Sequence, residues 1–288
     1  MRRGLFALVA MFAAWAPVAA WAQSTLTLDA THETPKVEAR INGRPVALQV
    51  DLRLPRALAL SEASAERLRV MRVPFVSANI GVDGGAAMRT RVARPRIVFG
   101  DENVRAMAVI APASVATAAD GLIGPGALPN ERIVITLGPE QSGARDIVFL
   151  LEDPDEWMFD ADLGGARVHV SFDIGADATI INRAASRTFD AAGLVHAAGA
   201  LQERHVILGL STLMQPVQTD LALEGLPLAP AFARTNAPLL GATEPDAIVV
   251  TAEGDGPGPA VVVGRAALAG CSSISVDRRT RRLTLRCV

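Results

Sequence analysis

The chain has 288 residues, half of them hydrophobic, with 28 lysines and arginines against 30 aspartates and glutamates, a formal net charge of −2. That length can bury one large core or two ordinary ones. So apolar and nearly neutral a chain excludes a disordered protein and a nucleic-acid binder held by a basic surface.

The first residues, MRRGLFALVAMFAAWAPVAAWAQ, combine a basic start, an apolar run and the small-x-small ending Ala20-Trp21-Ala22. This is the layout of a secretory signal, residues 1–22, cleaved before Gln23. An uncleaved anchor is the competing reading, since the apolar run approaches spanning length. Pro17 interrupts it and favours cleavage. The expectation is a periplasmic or secreted protein that leaves the membrane once the signal is removed.

The remainder reads as short strands punctuated by turns. KVEARINGRPVALQVD predicts a hairpin about Asn42-Gly43. SEASAERLRV places an N-capping Ser61 before helix formers and predicts a short helix. RVARPRIVFGDENVRAMAVIAP predicts a strand, a turn at Gly100 to Asn103 and a second strand, and GLIGPGAL predicts an apolar pair closed by Gly124 before the strand ERIVITL. At the C-terminus, Cys271 and Cys287 flank two alternating strands, so a hairpin brings them together as a disulfide in an oxidising compartment. The tip of that hairpin, DRRTRR (Asp277 to Arg282), reads as a solvated charged turn rather than a phosphate site.

The second half repeats the order of the first. Gly165 precedes Asp173 as Gly43 precedes Asp51; Asn182 stands where Ser61 caps the helix, and VVVGRAAL matches GLIGPGAL. The chain is an internal duplication joined in the polar stretch Leu137 to Asp146. The order hairpin, Asp-x-Gly-Ala turn, strand, short helix, apolar-apolar-Gly and terminal hairpin resembles the retropepsin and pepsin-like aspartic proteases. The resemblance implies an all-β, two-lobed pepsin/retropepsin-like acid-protease barrel with a short helix per lobe, the lobes being residues 23–140 and 141–288. It makes Asp51 and Asp173 the catalytic pair, with Ile123-Gly124 and Val263-Gly264 packed beneath their loops. Gly175 and Ala176 would line the substrate side, and Gly84 and Gly85 would lie in a substrate-covering flap.

Such hydrolysis uses two carboxylates so close that they share one proton: one draws a proton from water, the other polarises the scissile carbonyl. Here the triplets are altered. Ile174 replaces the threonine of the second Asp-Thr-Gly, and Leu52 and Arg53 replace both threonine and glycine in the first. A guanidinium at Arg53 held near the pair would favour both aspartates ionised and abolish the shared proton; alternatively it points to solvent or pairs locally with Asp51. Two readings follow: an aspartic-type endopeptidase acting through Asp51 and Asp173, or an inactive protease-fold module that binds a polypeptide in the cleft between lobes. Neither calls for a cofactor. His32, His169, His196 and His205 lack metal-ligand spacing, and no G-x-S-x-G elbow is present. Since one chain supplies both aspartates, a monomer is expected.

Overall fold

Strand β1 (Thr25–Asp29) leads, in the computed structural model, to the predicted hairpin of β2 (Lys36–Ile41) and β3 (Arg44–Val50). Its turn residues Asn42 and Gly43 sit at φ 51° and 75°, the left-handed pair that a two-residue turn requires. The structure describes residues 24–81, 87–113, 115–116, 118–234 and 258–288. The segment expected to be a secretory signal and both Gly84 and Gly85 lie outside them. Strand β4 (Ala57–Ser61) ends at Ser61, which caps α1 (Glu62–Arg67) by accepting the Ser64 N–H at 3.1 Å. Next come β5 (Arg72–Gly81), β6 (Ala87–Ala93), β7 (Arg96–Phe99), β8 (Glu102–Arg105) and β9 (Met107–Ala111). Here the chain is cut more finely than the predicted strand, turn and strand. Pro95, which has no N–H, separates β6 from β7, and β7 turns into β8 at Gly100 and Asp101. Strand β10 (Gly121–Ile123), a 3-10 turn at Pro125–Ala127 and β11 (Arg132–Thr136) close the first half.

In the second half, β12 (Arg145–Leu150) precedes the hairpin of β13 (Phe159–Leu163) and β14 (Ala166–Asp173). After β15 (Thr179–Ile181), Asn182 caps α2 (Arg183–Ala191), accepting the Ala185 N–H at 2.8 Å. Strand β16 (Val195–Ala197) precedes a long hairpin, β17 (Gln202–Ile207) and β18 (Leu210–Thr219). A small ribbon, β19 (Ala222–Leu223) and β20 (Leu226–Pro227), leads to β21 (Ala231–Arg234) and β22 (Ala260–Gly264). The last hairpin is β23 (Cys271–Asp277) with β24 (Arg282–Cys287), and the predicted disulfide joins Cys271 to Cys287.

The strand pairing follows the same order in each half. In the first half β3 runs parallel to β10, β10 antiparallel to β4, and β4 parallel to β9. The second half repeats this with β14, β22, β15 and β21. The fold is all-β, with one short helix in each half. Each sheet among the described residues is an open path, so the expected barrel closure is not found. The first sheet ends at β5 and β8, and both bear edge-strand chemistry: Pro74 in β5, and polar, exposed residues in β8.

A five-stranded sheet, ordered β1-β11-β23-β24-β12, draws two strands from the first half and three from the second. One apolar cluster continues through both halves and includes the fully buried Trp157, in the connection between β12 and β13. In the closing hairpin Arg279, Arg281 and Arg282 are exposed as expected, and Arg278 departs from that expectation. Arg278 is only 17% exposed, donates to Leu128 O at 2.7 Å and to Pro125 O, and pairs with Asp155 at 3.1 Å. Arg281 donates to Leu151 O and Glu152 O. Both arginines satisfy carbonyls where the chain leaves regular structure, Arg278 from a sheltered position and Arg281 from an exposed one. No helix among the described residues is long and apolar enough to cross a membrane.

Candidate functional site

Strands β3 and β14 occupy corresponding places in the two halves, and each delivers an aspartate into a turn. At the end of β14, Ala176 N–H returns to Asp173 O at 3.2 Å, while Asp173 Oδ1 accepts from Gly175 N–H at 2.9 Å and Ala176 N–H at 3.1 Å. At the end of β3, Leu54 N–H returns to Asp51 O at 3.2 Å, and Asp51 Oδ1 accepts from Arg53 N–H at 3.0 Å. The loops make the same side-chain-supported turn although their sequences have diverged. Gly175 serves by its size: a Cβ there would lie 3.2 Å from Asp173 Oδ1.

Beneath each turn a glycine allows close backbone approach. A Cβ on Gly124 would lie 1.7 Å from Leu54 O, and one on Gly264 2.3 Å from Ala178 O. Asp51 N–H donates to Ile123 O at 3.0 Å and Arg265 N–H to Ala176 O at 2.7 Å, tying loops to supports. Thus Ile123-Gly124 and Val263-Gly264 lie against the aspartate turns, as the duplicated pattern implied.

The structure brings Asp51 and Asp173 onto one guanidinium. Arg53 Nη2 lies 2.7 Å from Asp51 Oδ2, and Nε lies 3.0 Å from Asp51 Oδ1. Its Nη1 lies 2.9 Å from Asp173 Oδ2 and also donates to Val206 O. Both Asp51 oxygens and Asp173 Oδ1 accept hydrogen bonds from this chain's own donors, and Asp173 Oδ2 faces Arg53 Nη1 as an ion pair. All three side chains are sheltered: 5% exposed for Asp51, 8% for Asp173 and 19% for Arg53. Burial pushes the Asp173 carboxyl up, against the pull of Arg53 and two backbone N–H groups, and the charge of Asp51 pushes it up further; the balance is a raised pKa. The expectation that a cation here would hold both aspartates more readily ionised is therefore corrected for Asp173: desolvation outweighs the ion pair. Burial also disfavours the charge on Arg53, yet the charge and hydrogen bonds of Asp51 and the charge of Asp173 outweigh it, and the guanidinium keeps its proton more firmly than usual.

A cavity of about 420 Å³ opens on this triad. Its wall includes Thr34, both aspartate turns and, from the second half, Glu203 to Val206, Leu208 and Phe232. The β17–β18 hairpin covers it. Besides the Arg53 bond to Val206, Arg204 pairs with Asp177 and stacks over Phe232 at 4.5 Å. Ile80 and Met88, on β5 and β6, pack against two apolar clusters, one containing Leu208 and the other Val206, Leu210 and Met214. Two hairpins, one from each half, thus pack against each other beside the cavity.

Of the predicted site residues, Asp51, Asp173, Gly175 and Ala176 converge on the cavity, while Gly84 and Gly85 lie outside the described residues. The covering residues Arg204, Val206 and Phe232 went unnoticed in the sequence, where nothing local couples them to the aspartates. Among the described residues no three His, Cys, Asp or Glu side chains gather in a way that could hold a metal ion. Neither a scan against protein-family models nor a search of curated proteins returned a match to the chain.

Proposed function

We propose that the protein is an exported, two-lobed relative of the aspartic-protease scaffold in which the carboxylate pair is locked by Arg53, leaving a polypeptide-binding or interaction module without hydrolytic activity. The single observation that carries this reading is the hold of Arg53 on both carboxylates, hydrogen-bonded to Asp51 and ion-paired with Asp173, while turn amides bond the Oδ1 atom of each. Acid-type hydrolysis needs a water between the two carboxylates and one proton shared across them. With a guanidinium bonded to both, the charge that would bind and activate that water is spent within the protein. The duplicated strand order around Asp51 and Asp173 supports the scaffold, and the apolar N-terminal run with its Ala-x-Ala ending supports export. The cavity falls within the range of roughly 300–1,000 Å³ common to ligand sites.

One observation favours the endopeptidase reading instead: the raised pKa of Asp173 is what a general-acid partner requires. A peptide-library assay from about pH 3 to about pH 7, spanning the carboxylate range, separates the two. No cleavage by the native protein, together with peptide retention on the immobilised protein, is the expected outcome. Cleavage that disappears in Asp173→Asn would replace the proposal with an active peptidase. Loss of both cleavage and binding would overturn each reading.

A further inference from the structure

Strand β5 carries a feature that the cavity does not explain. Its pairing with β6 jumps from Arg72 opposite Ala93 to Ser77 opposite Arg91, so Val73, Pro74, Phe75 and Val76 bulge out against the single residue Val92. At the crest Phe75 takes φ 61°, a left-handed conformation that bulky L-residues rarely adopt. Its side chain is fully exposed, and Val76 next to it is 46% exposed. A protein that only needed to end a sheet would place glycine or asparagine there; backbone strain that holds an aromatic ring in water points to a partner for the ring.

The ring borders a groove of about 600 Å³ whose floor includes Ile110 and whose charged lining is Arg72, Arg89 and Arg91 against Glu62 alone. Arg72 already faces Glu62 at 3.5 Å and Glu66 at 3.9 Å. Arg89 donates to Ser77 Oγ at 3.2 Å, and neither it nor Arg91 has an ion-pair partner among the described residues. Two exposed guanidiniums on β6 therefore flank a trough of mixed polar and apolar lining formed with β5, the outermost strand of the nine-stranded sheet. Its charge complement is acidic. Its concave shape suits a chain laid along it, where a bilayer would need a convex face. From these observations we infer that the bulged edge of β5 is a second binding surface, distinct from the cavity, for an extended acidic polypeptide that contacts Arg89 and Arg91 and covers Phe75.

Fluorescence anisotropy of a labelled extended peptide alternating glutamate with valine tests this, with the lysine-for-glutamate peptide and phosphatidylglycerol vesicles as comparisons. The acidic peptide is expected to bind the native protein, more weakly as salt rises, and to lose about tenfold or more in affinity on Phe75→Gly or on joint Arg89→Ser and Arg91→Ser replacement. Phe75→Gly relieves the left-handed strain, so an unchanged melting transition shows that its fold survives. Asp173→Asn should leave this binding intact, which separates the surface from the cavity. No binding of the acidic peptide, equal binding of the lysine peptide, affinity unchanged by Phe75→Gly, or preference for vesicles would each overturn the inference.

Discussion

Arg53 replaces a glycine of the pattern that the chain resembles, and the substitution redirects the chemistry of the whole turn. A glycine would leave two buried carboxylates with only turn amides; the guanidinium bonds to both and balances one of their charges. Removing one member of such a buried group costs about 3–5 kcal/mol, because the remaining charges lose their partner. Arg53→Met should therefore destabilise the protein by about that amount near neutral pH, measured by urea unfolding. The sign with pH follows from Asp173, whose folded pKa lies above its unfolded value. Its favourable contribution is present below the unfolded pKa and is lost as pH rises through the folded one. Without the guanidinium the folded pKa rises further, so the Arg53→Met deficit should shrink on acidification; a deficit independent of pH would contradict the buried-pair account.

At the scale of elements, the two glycines under the aspartate turns admit no side chain without a shift of backbone. A Cβ at Gly124 meets a backbone carbonyl, which cannot swing aside as a side-chain tip can. Gly124→Ala should cost at least about 1–3 kcal/mol of stability in thermal melts, the range of core overpacking. The β17–β18 hairpin is held more lightly. Arg204 pairs with Asp177, which is 75% exposed, and an ion pair so open contributes about 1 kcal/mol or less. Arg204→Ala should accordingly speed hydrogen exchange in Gln202–Ile207 while leaving global unfolding almost unchanged. Much of this level was legible beforehand, for local reasons: Asn42-Gly43, Ser61 and Asn182 each act on amides a few residues away, and their turn and caps form as predicted. The Asp-x-Gly-Ala turn was legible in the same way. What covers it was not, because Val206 reaches Arg53 across 153 residues of sequence. Nor was the fate of Arg278, since a charge run in sequence looks the same whether it meets water or carbonyl groups.

Across the whole molecule, the five-stranded sheet binds one half to the other. Strand β23 lies between β11 of the first half and β24 of the second, and the Cys271–Cys287 disulfide joins β23 to β24. Closing a loop of this length is worth about 3 kcal/mol in the chain-entropy account. Reduction should lower the melting temperature of both halves in one transition; two separate transitions would show that the sheet does not couple them. The barrel that the resemblance implied is not found among the described residues: sheet closure depends on strands distant in sequence, and the β5 edge, with Pro74 and its bulge, has no further strand beside it there.

Trp157 turns that coupling into an optical signal. The chain has three tryptophans and no tyrosine, and Trp15 and Trp21 belong to the N-terminal segment expected to be removed. A mature chain would fluoresce through one indole. That ring is only 1% exposed, within the cluster common to both halves, and its N–H has no acceptor among the described residues, uncommon for a buried indole. Its emission should lie far to the blue in the native protein and move to the red on unfolding. Local opening of the β17–β18 hairpin should leave the colour unchanged, so a single emission spectrum separates a raised lid from a parted core.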